Sequence, residues 1–215
     1  MAVCVAADKR YFRQILAETR RALPAAYVAR LSAPITERLC ASPIYRDRAT
    51  VVLYAPKDNE AETEGIFADA LKSGRRVLYP RIAPERHQLS LVLVSDRAEL
   101  RPGTYGLLEP TGSEVVPPQD LGRALICVPG VAFSRVGQRL GRGGGYYDRL
   151  LAAAAPDTVT AGLAYSFQVL DRLPESPGDW RLDFIVTESA LHVAGHAPRP
   201  DAVRTDQGGV PRCLR

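Results

Sequence analysis

The chain has 215 residues, 46% of them hydrophobic, and a formal net charge of +4. This length suits one large domain, with two as the alternative, and the apolar content is enough for a sizeable buried core. The mild charge fits anionic small molecules and does not by itself argue for nucleic acid. The cysteines at 4, 40, 127 and 213 form no Cys-x-x-Cys pair, which argues against a disulfide or zinc framework. The apolar opening is too short for a signal-peptide core, and no run approaches the length of a membrane span. A cytoplasmic protein is expected.

In chain order, residues 9–23 read as an amphipathic helix, with Phe12, Ile15, Leu16 and Thr19 on one face, Asp8 as N-cap and Pro24 as its stop. Residues 25–41 continue helically, and Pro34 is positioned to kink or divide them. A valine-rich strand is expected at 50–55, a helix at 62–72 and strands at 76–79 and 88–94. Residues 101–120 are rich in proline and glycine and read as a long loop. A buried strand at 124–128, a helix at 145–154 and strands at 158–164 and 183–187 complete the pattern. Strands alternating with helices imply a mainly parallel sheet with helices on both faces, and ligands beyond the carboxyl ends of the strands. Residues 1–195 are expected to form one domain. Residues 196–215 are polar and aperiodic and read as a disordered tail.

The most informative stretch lies between the strand at 124–128 and the helix at 145–154. Gly141, Gly143, Gly144 and Gly145 sit there with Arg139 and Arg142, which supply forked donors matched to phosphate oxygens. A helix N-terminus follows and favours anions. Asp148, a few residues on, could hold a divalent cation or simply sit well in a first helical turn. Gly-Lys-Ser/Thr is absent, so this is no Walker loop, and the glycine spacing is not the dinucleotide fingerprint. A magnesium–polyphosphate is the expected ligand, against a plain surface loop or an RNA contact. Lys9 and Arg13, four apart, form either a solvated basic face or one half of an anion site. Asn59 and Glu62 have the spacing of a capping box, which leaves Glu60 without a capping role. His87, His192 and His196 lie in no catalytic-looking context.

Residues 128–133 (VPGVAF) and 137–151 (GQRLGRGGGYYDRLL) resemble the signature of the 5-formyltetrahydrofolate cyclo-ligase family. The runs 9–13, 59–63, 79–81, 105–110, 164–168 and 182–187 resemble further family motifs in the same order. The resemblance implies a three-layer α/β/α fold, Rossmann-like and of the NagB/RpiA/CoA-transferase type, in a monomer whose partners are a reduced folate and ATP, with no membrane. It implies ATP-dependent closure of 5-formyltetrahydrofolate to 5,10-methenyltetrahydrofolate, by phosphorylation of the formyl oxygen and attack of N10. ATP would lie against Lys9, Arg10, Arg13, Arg139, Leu140, Gly141, Arg142, Gly143, Gly144, Gly145, Tyr146 and Tyr147. Folate would lie against Ala55, Glu60, Arg81, Tyr105, Gly145 and Tyr146, and Mg2+ against Asp148 and Asp183. Arg142 and Tyr105 would act at the reacting centre, and Gln168 near the nucleotide. Two departures, Ser134 in place of an aspartate and Ala124 in place of an acid, keep open a paralogue that binds nucleotide or nucleic acid with altered folate activity. A sugar-phosphate enzyme of a related fold is a further alternative.

Overall fold

The computed structural model describes residues 2–83, 85 and 87–195. The tail read as disordered, with His196 and Cys213, lies outside the described residues. Three helices open the chain: α1 (Ala2–Arg21), α2 (Ala25–Ala41) and the short α3 (Pro43–Arg46). Strand β1 (Thr50–Val52), helix α4 (Glu64–Lys72), β2 (Arg76–Ala83) and β3 (Gln88–Leu93) follow. Short strands β4 (Leu100–Pro102), β5 (Leu108–Pro110) and β6 (Val115–Val116) lead to β7 (Leu125–Val128). Beyond it come β8 (Ala132–Ser134), β9 (Arg139–Leu140), helix α5 (Tyr146–Ala153) and β10 (Val159–Leu163). The described chain closes with β11 (Val169–Leu170), β12 (Phe184–Val186) and β13 (Leu191–Val193).

Eight strands form the central sheet, in the order β13-β12-β10-β7-β1-β2-β3-β6. The five inner strands from β12 to β2 run parallel, and antiparallel strands finish both edges. Alternation along the strands divides the core in two. Val51, Val77, Leu125 and Cys127 pack with Ile35, Leu39 and Ile66 of α2 and α4 on one face. Val52, Leu78, Ile126 and Val128 pack with Leu150 and Leu151 of α5 on the other. This is the three-layer α/β arrangement the sequence pattern implies.

The sheet order places β1 beside β7, although β2 to β6 intervene in the chain. After β1 the chain winds toward one edge; after β7 it winds toward the other. A crevice opens where the winding reverses, outside the carboxyl ends of the strands. Ala55 stands beyond β1 and Gly130 beyond β7, and both line that crevice.

Several local expectations shift. Helix α1 begins at Ala2, so Asp8 lies inside it and is not its N-cap. Pro34 sits within α2 without ending it, because a proline costs one backbone bond that packing of Val28, Ile35 and Leu39 outweighs. Strand β2 runs through Pro80 to Ala83, since its partner β3 is antiparallel and at the sheet's flank. The stretch at 101–120 is not structureless, because β4 and β5 pair as a hairpin within it.

The capping box expected of Asn59 and Glu62 is absent, because α4 begins after Thr63. Asn59 instead ends α1. Its side-chain amide donates to the carbonyls of Arg20, Arg21 and Leu23, at 3.1, 3.1 and 2.9 Å. Its own backbone is left-handed, with φ of 60°, a conformation asparagine tolerates better than most residues. We expect Asn59→Ala to lower the urea-unfolding free energy by about 1–3 kcal/mol, because it loses the bonds and adopts a strained backbone. Asn59→Gly, which loses only the bonds, should lose less; an equal loss would discount the backbone contribution.

Candidate active site

A cavity of about 620 Å³ fills the crevice. Its walls come from α1, the segment after β1, the β4–β5 hairpin and the glycine segment before α5. Lys9, Arg13, Arg139 and Arg142 all face it, so the cations of the first helix and of the glycine segment meet across one space. Lys9 is not on a solvated face: it is 8% exposed, with its ammonium on Asp179 and on the Ser176 hydroxyl at 2.9 Å. Arg13 donates through Nε to the Gly141 carbonyl at 2.8 Å, tying α1 to the loop.

The glycines have stereochemical work. Gly143 has φ of 105° and Gly145, the residue capping α5, φ of 65°, a region L side chains enter at a cost. The segment can therefore turn tightly and leave its backbone open to the cavity. Arg139 is nearly buried, with its side chain 4% exposed, and donates to Asp148 Oδ1 at 2.8 Å. Asp148 Oδ1 also accepts the Trp180 backbone N–H at 3.3 Å. Burial raises the Tyr147 phenol well above its ordinary value, so it is neutral and serves as a wall.

Glu60 is the centre of the opposite wall. Its side chain is 7% exposed and meets the fully buried Arg20 at 3.4 Å and Arg142 at 3.1 Å, both through Oε1. Its Oε2 accepts the Lys57 backbone N–H at 3.1 Å. Arg20 also donates to the carbonyls of Asp58 at 2.9 Å and Gly130 at 2.7 Å. One guanidinium thus joins α1, the segment after β1 and the segment after β7. Burial lowers the Arg20 value, and Glu60 opposes that shift. Arg142 also donates to Asp58 Oδ2 at 2.7 Å. Burial pulls the Arg142 value down, but the bonds to Asp58 and Glu60 outweigh it and the net shift is upward.

Of the expected site residues, the cavity gathers Lys9, Arg13, Ala55, Glu60, Tyr105, residues 139–147 and Asp148. It does not gather Arg10, which is exposed on α1. Arg81 is turned away as well, donating to the carbonyls of Gly112 at 2.8 Å and Pro110 at 3.5 Å, where it braces the hairpin. Asp183 lies just before β12, at the amino end of a parallel strand, and its Oδ2 accepts from the backbone and hydroxyl of Thr160. The carboxyl ends of the strands, where the cavity opens, are at the other side of the sheet. Gln168 is buried outside the cavity lining and donates to the Gly130 and Val131 carbonyls.

Sequence reasoning missed Arg20, Lys57, Asp58, Glu109 and Asp179. Arg20 carries a signal: it lies seven residues after Arg13, two helical turns on, and continues the Lys9–Arg13 face. The others sit in loops without periodicity. The two departures from the family pattern leave the cavity alone. Ser134 stitches the β8–β9 turn, accepting the Gln138 N–H at 3.1 Å, and Ala124 precedes β7 at its amino end. Among the described residues no helix is long and apolar enough to cross a membrane, and no cluster of three or more acidic, histidine or cysteine side chains forms a metal centre.

Fold and site together define an α/β protein with a cavity at the switch point of its sheet, walled by a glycine–arginine segment on one side and a buried acid on the other. Residues 5–188 match the model of the 5-formyltetrahydrofolate cyclo-ligase family, and the chain belongs to that family. A Mus musculus 5-formyltetrahydrofolate cyclo-ligase is 30% identical over 198 residues, covering 88% of this chain and 98% of its own. One from Mycolicibacterium smegmatis is 31% identical over 186 residues, covering 84% and 93%. The solved Aquifex aeolicus 5,10-methenyltetrahydrofolate synthetase superposes with a TM-score of 0.77 at 33% identity, covering 92% of this chain and 98% of that one.

The Asp58 carboxyl is held below its ordinary value of 3.8, first by its hydrogen bond from Arg142. Its contribution to stability is present above 3.8 and is lost as pH falls through the lower folded value. Asp58→Asn should therefore flatten the fall of thermal midpoint on the acid side of 3.8 and leave the neutral region less stable than the parent. An unchanged acid slope would mean that the Asp58–Arg142 bond does not persist in solution.

Proposed function

We propose that this chain converts 5-formyltetrahydrofolate and ATP to 5,10-methenyltetrahydrofolate, ADP and phosphate, as one catalytic unit spanning residues 1–195 and as a monomer in the cytoplasm. The observation that carries the reading is the single cavity in which a buried carboxylate, Glu60, and the cations around residues 139–145 face one another. Family membership supplies the substrate class.

The residues divide by task. Lys9, Arg13, Arg139 and Arg142, with the backbone of residues 141–145, would hold the triphosphate. Glu60 would hold the pterin. A carboxylate has about four acceptor sites, and Arg20, Arg142 and the Lys57 N–H take three of them. When Arg142 turns to the phosphates, two sites open, matching the paired 2-amino and ring N–H donors of a pterin. Tyr105 and Tyr146, at the mouth, would cover the formyl end; a hydrogen bond with Tyr105 raises the Tyr146 phenol, so Tyr146 stays neutral.

The formyl oxygen attacks the γ-phosphorus and ADP leaves. N10 then attacks the activated carbon, the ring closes and phosphate leaves. Both nucleophiles belong to the substrates, so the protein contributes orientation and charge rather than a covalent partner. Arg139 and Arg142 balance charge on the phosphoryl oxygens, and Lys9 does so from the other side.

The residues fit Mg2+ in part. Asp148 lines the cavity, its Oδ1 taken by Arg139, and would hold the ion together with phosphate oxygens, while Asp183, bonded to Thr160 at the amino end of its strand, would not. When bound, the ion supplies neutralisation of phosphate charge. No observation favours the paralogue with altered activity or the sugar-phosphate enzyme.

Mixing the protein with 5-formyltetrahydrofolate and Mg-ATP should build the absorbance of methenyltetrahydrofolate. No product, together with no heat of folate binding, rejects the reading. Arg142→Ala should lower nucleotide affinity by about tenfold or more, as expected for a charge-assisted bond of about 1.5–3 kcal/mol. Glu60→Gln should instead raise the folate KM more than the ATP KM. Equal losses for both ligands in both variants would dissolve the division of labour.

A further inference from the structure

Arg142 leaves the glycine segment and is folded onto the opposite wall of the cavity. Its Nη1 donates to Asp58 Oδ2 at 2.7 Å. Its Nη2 donates to Glu60 Oε1 at 3.1 Å and to the Lys57 carbonyl at 3.4 Å. These contacts occupy the Nη fork of the guanidinium, the part matched to phosphate oxygens. A phosphate can take that fork only when they let go. The same contacts crowd the acid. Glu60 Oε1 meets both Arg20 and Arg142, and Oε2 accepts the Lys57 N–H. A carboxylate has about four acceptor sites, so too few stay open for a paired set of ligand donors. One side chain thus obstructs both halves of the cavity.

The surroundings allow this clamp to open. Each acid has a second cation: Glu60 keeps Arg20 at 3.4 Å, and Asp58 keeps Arg21 at 3.7 Å. Neither is left without a counter-charge when Arg142 turns away. The backbone on both sides of Arg142 is tied, since Arg13 donates to the Gly141 carbonyl and Arg149 to the Gly144 carbonyl, both at 2.8 Å. The side chain can therefore turn while its segment stays in place. Asp58 is well fixed to act as the latch. Its backbone is left-handed, with φ of 53°, in a turn closed by the Glu60 N–H on the Lys57 carbonyl at 3.2 Å. Its own carbonyl accepts from Arg20 at 2.9 Å. Burial lowers the Arg142 value most, and the Asp58 bond leads the contributions that raise it.

This inference rests on the function proposed above, which assigns the phosphates to Arg142 and the pterin to Glu60. We propose that Asp58 is a positioning residue that parks Arg142 across Glu60, so that nucleotide and folate each favour the same released arrangement and strengthen one another's binding. The released guanidinium serves the phosphates, and the uncovered carboxylate serves the pterin. A ligand that prefers one of two arrangements shifts the population toward it. Both ligands here prefer the released one, so whichever binds first removes the cost of release for the other. By linkage the strengthening is reciprocal and equal in both directions. No bond is made or broken, so the effect precedes phosphoryl transfer.

Calorimetric titration with 5-formyltetrahydrofolate and the magnesium complex of β,γ-methylene-ATP reads this coupling without turnover. In the parent, saturating analogue should tighten folate binding by about 5–150-fold, the usual span for coupled sites, and saturating folate should tighten analogue binding by the same factor. Asp58→Asn removes the charge, keeps the shape and suits a left-handed backbone. It should bind folate alone more tightly than the parent and show a smaller coupling factor. Arg142→Ala should bind the analogue more weakly, bind folate alone at least as tightly as the parent, and lose the coupling. A merely structural Asp58 would weaken both ligands and leave the factor as it was. That result, or no coupling in the parent, overturns the inference while product formation upholds the proposed function. Weaker binding of folate alone by Arg142→Ala would make Arg142 a folate ligand and also overturn it. No folate binding by the parent beside the analogue, with no product from ATP, overturns the proposed function first.

Discussion

One buried carboxylate, shared between two guanidiniums, holds the architecture of this site together. Glu60 has a structural role whatever it binds, because Arg20, with its side chain 1% exposed, depends on it for a counter-charge. Stripping the charge from either partner of such a buried pair is of the order of 3–5 kcal/mol, far above the value of a surface pair. The same contact fixes three chain segments, since Arg20 also donates to the carbonyls of Asp58 and Gly130. Arg142 then adds a fourth segment by reaching the same oxygen from the glycine loop. The residues that would meet the pterin and those that would meet the phosphates are therefore parts of a single charged network.

The sheet explains why that network forms where it does. Parallel strands deliver their carboxyl ends to one side, and the reversal between β1 and β7 leaves room for a ligand there. Helix α1 is laid across the opening, with Lys9, Arg13 and Arg20 successively meeting Asp179, Gly141 and Glu60. Its amphipathy is thus unusual in kind: part of its inward face is cationic, and acids and carbonyls on three loops receive it.

Much of this was legible in the residues. The alternation of strands and helices pointed to the layered class, and the glycine–arginine run marked one wall of the cavity. The run was readable because glycines at left-handed positions and forked cations have few other reasons to cluster. What stayed hidden depended on distant partners. Asp183 reads as a metal ligand by its motif, yet Thr160, far away in sequence, occupies it. Arg81 reads as a substrate contact, yet the carbonyls of Pro110 and Gly112 claim it. Asn59 has the spacing of a cap for the helix after it and caps the one before it. The hairpin at 100–110 escaped because its strands are short and its proline and glycine content signals a loop. Local pattern reports what a residue can do; the partner that decides among the options lies elsewhere in the chain.

The crossing from β3 through β6 to β7 has a consequence for how the protein could be divided. Glu60 and its neighbours lie before that connection and the glycine segment lies after it, and within the central sheet the two halves meet at the β1–β7 ladder, with side-chain contacts such as Arg142–Glu60 and Arg13–Gly141 across the crevice. A chain severed in the surface stretch around residues 117–123 would yield two pieces, each bearing half of the liganding set and one unpaired sheet edge. Neither half could bind both reactants by itself, and their spontaneous recombination along that bare edge would rebuild ladder and pocket in the same event.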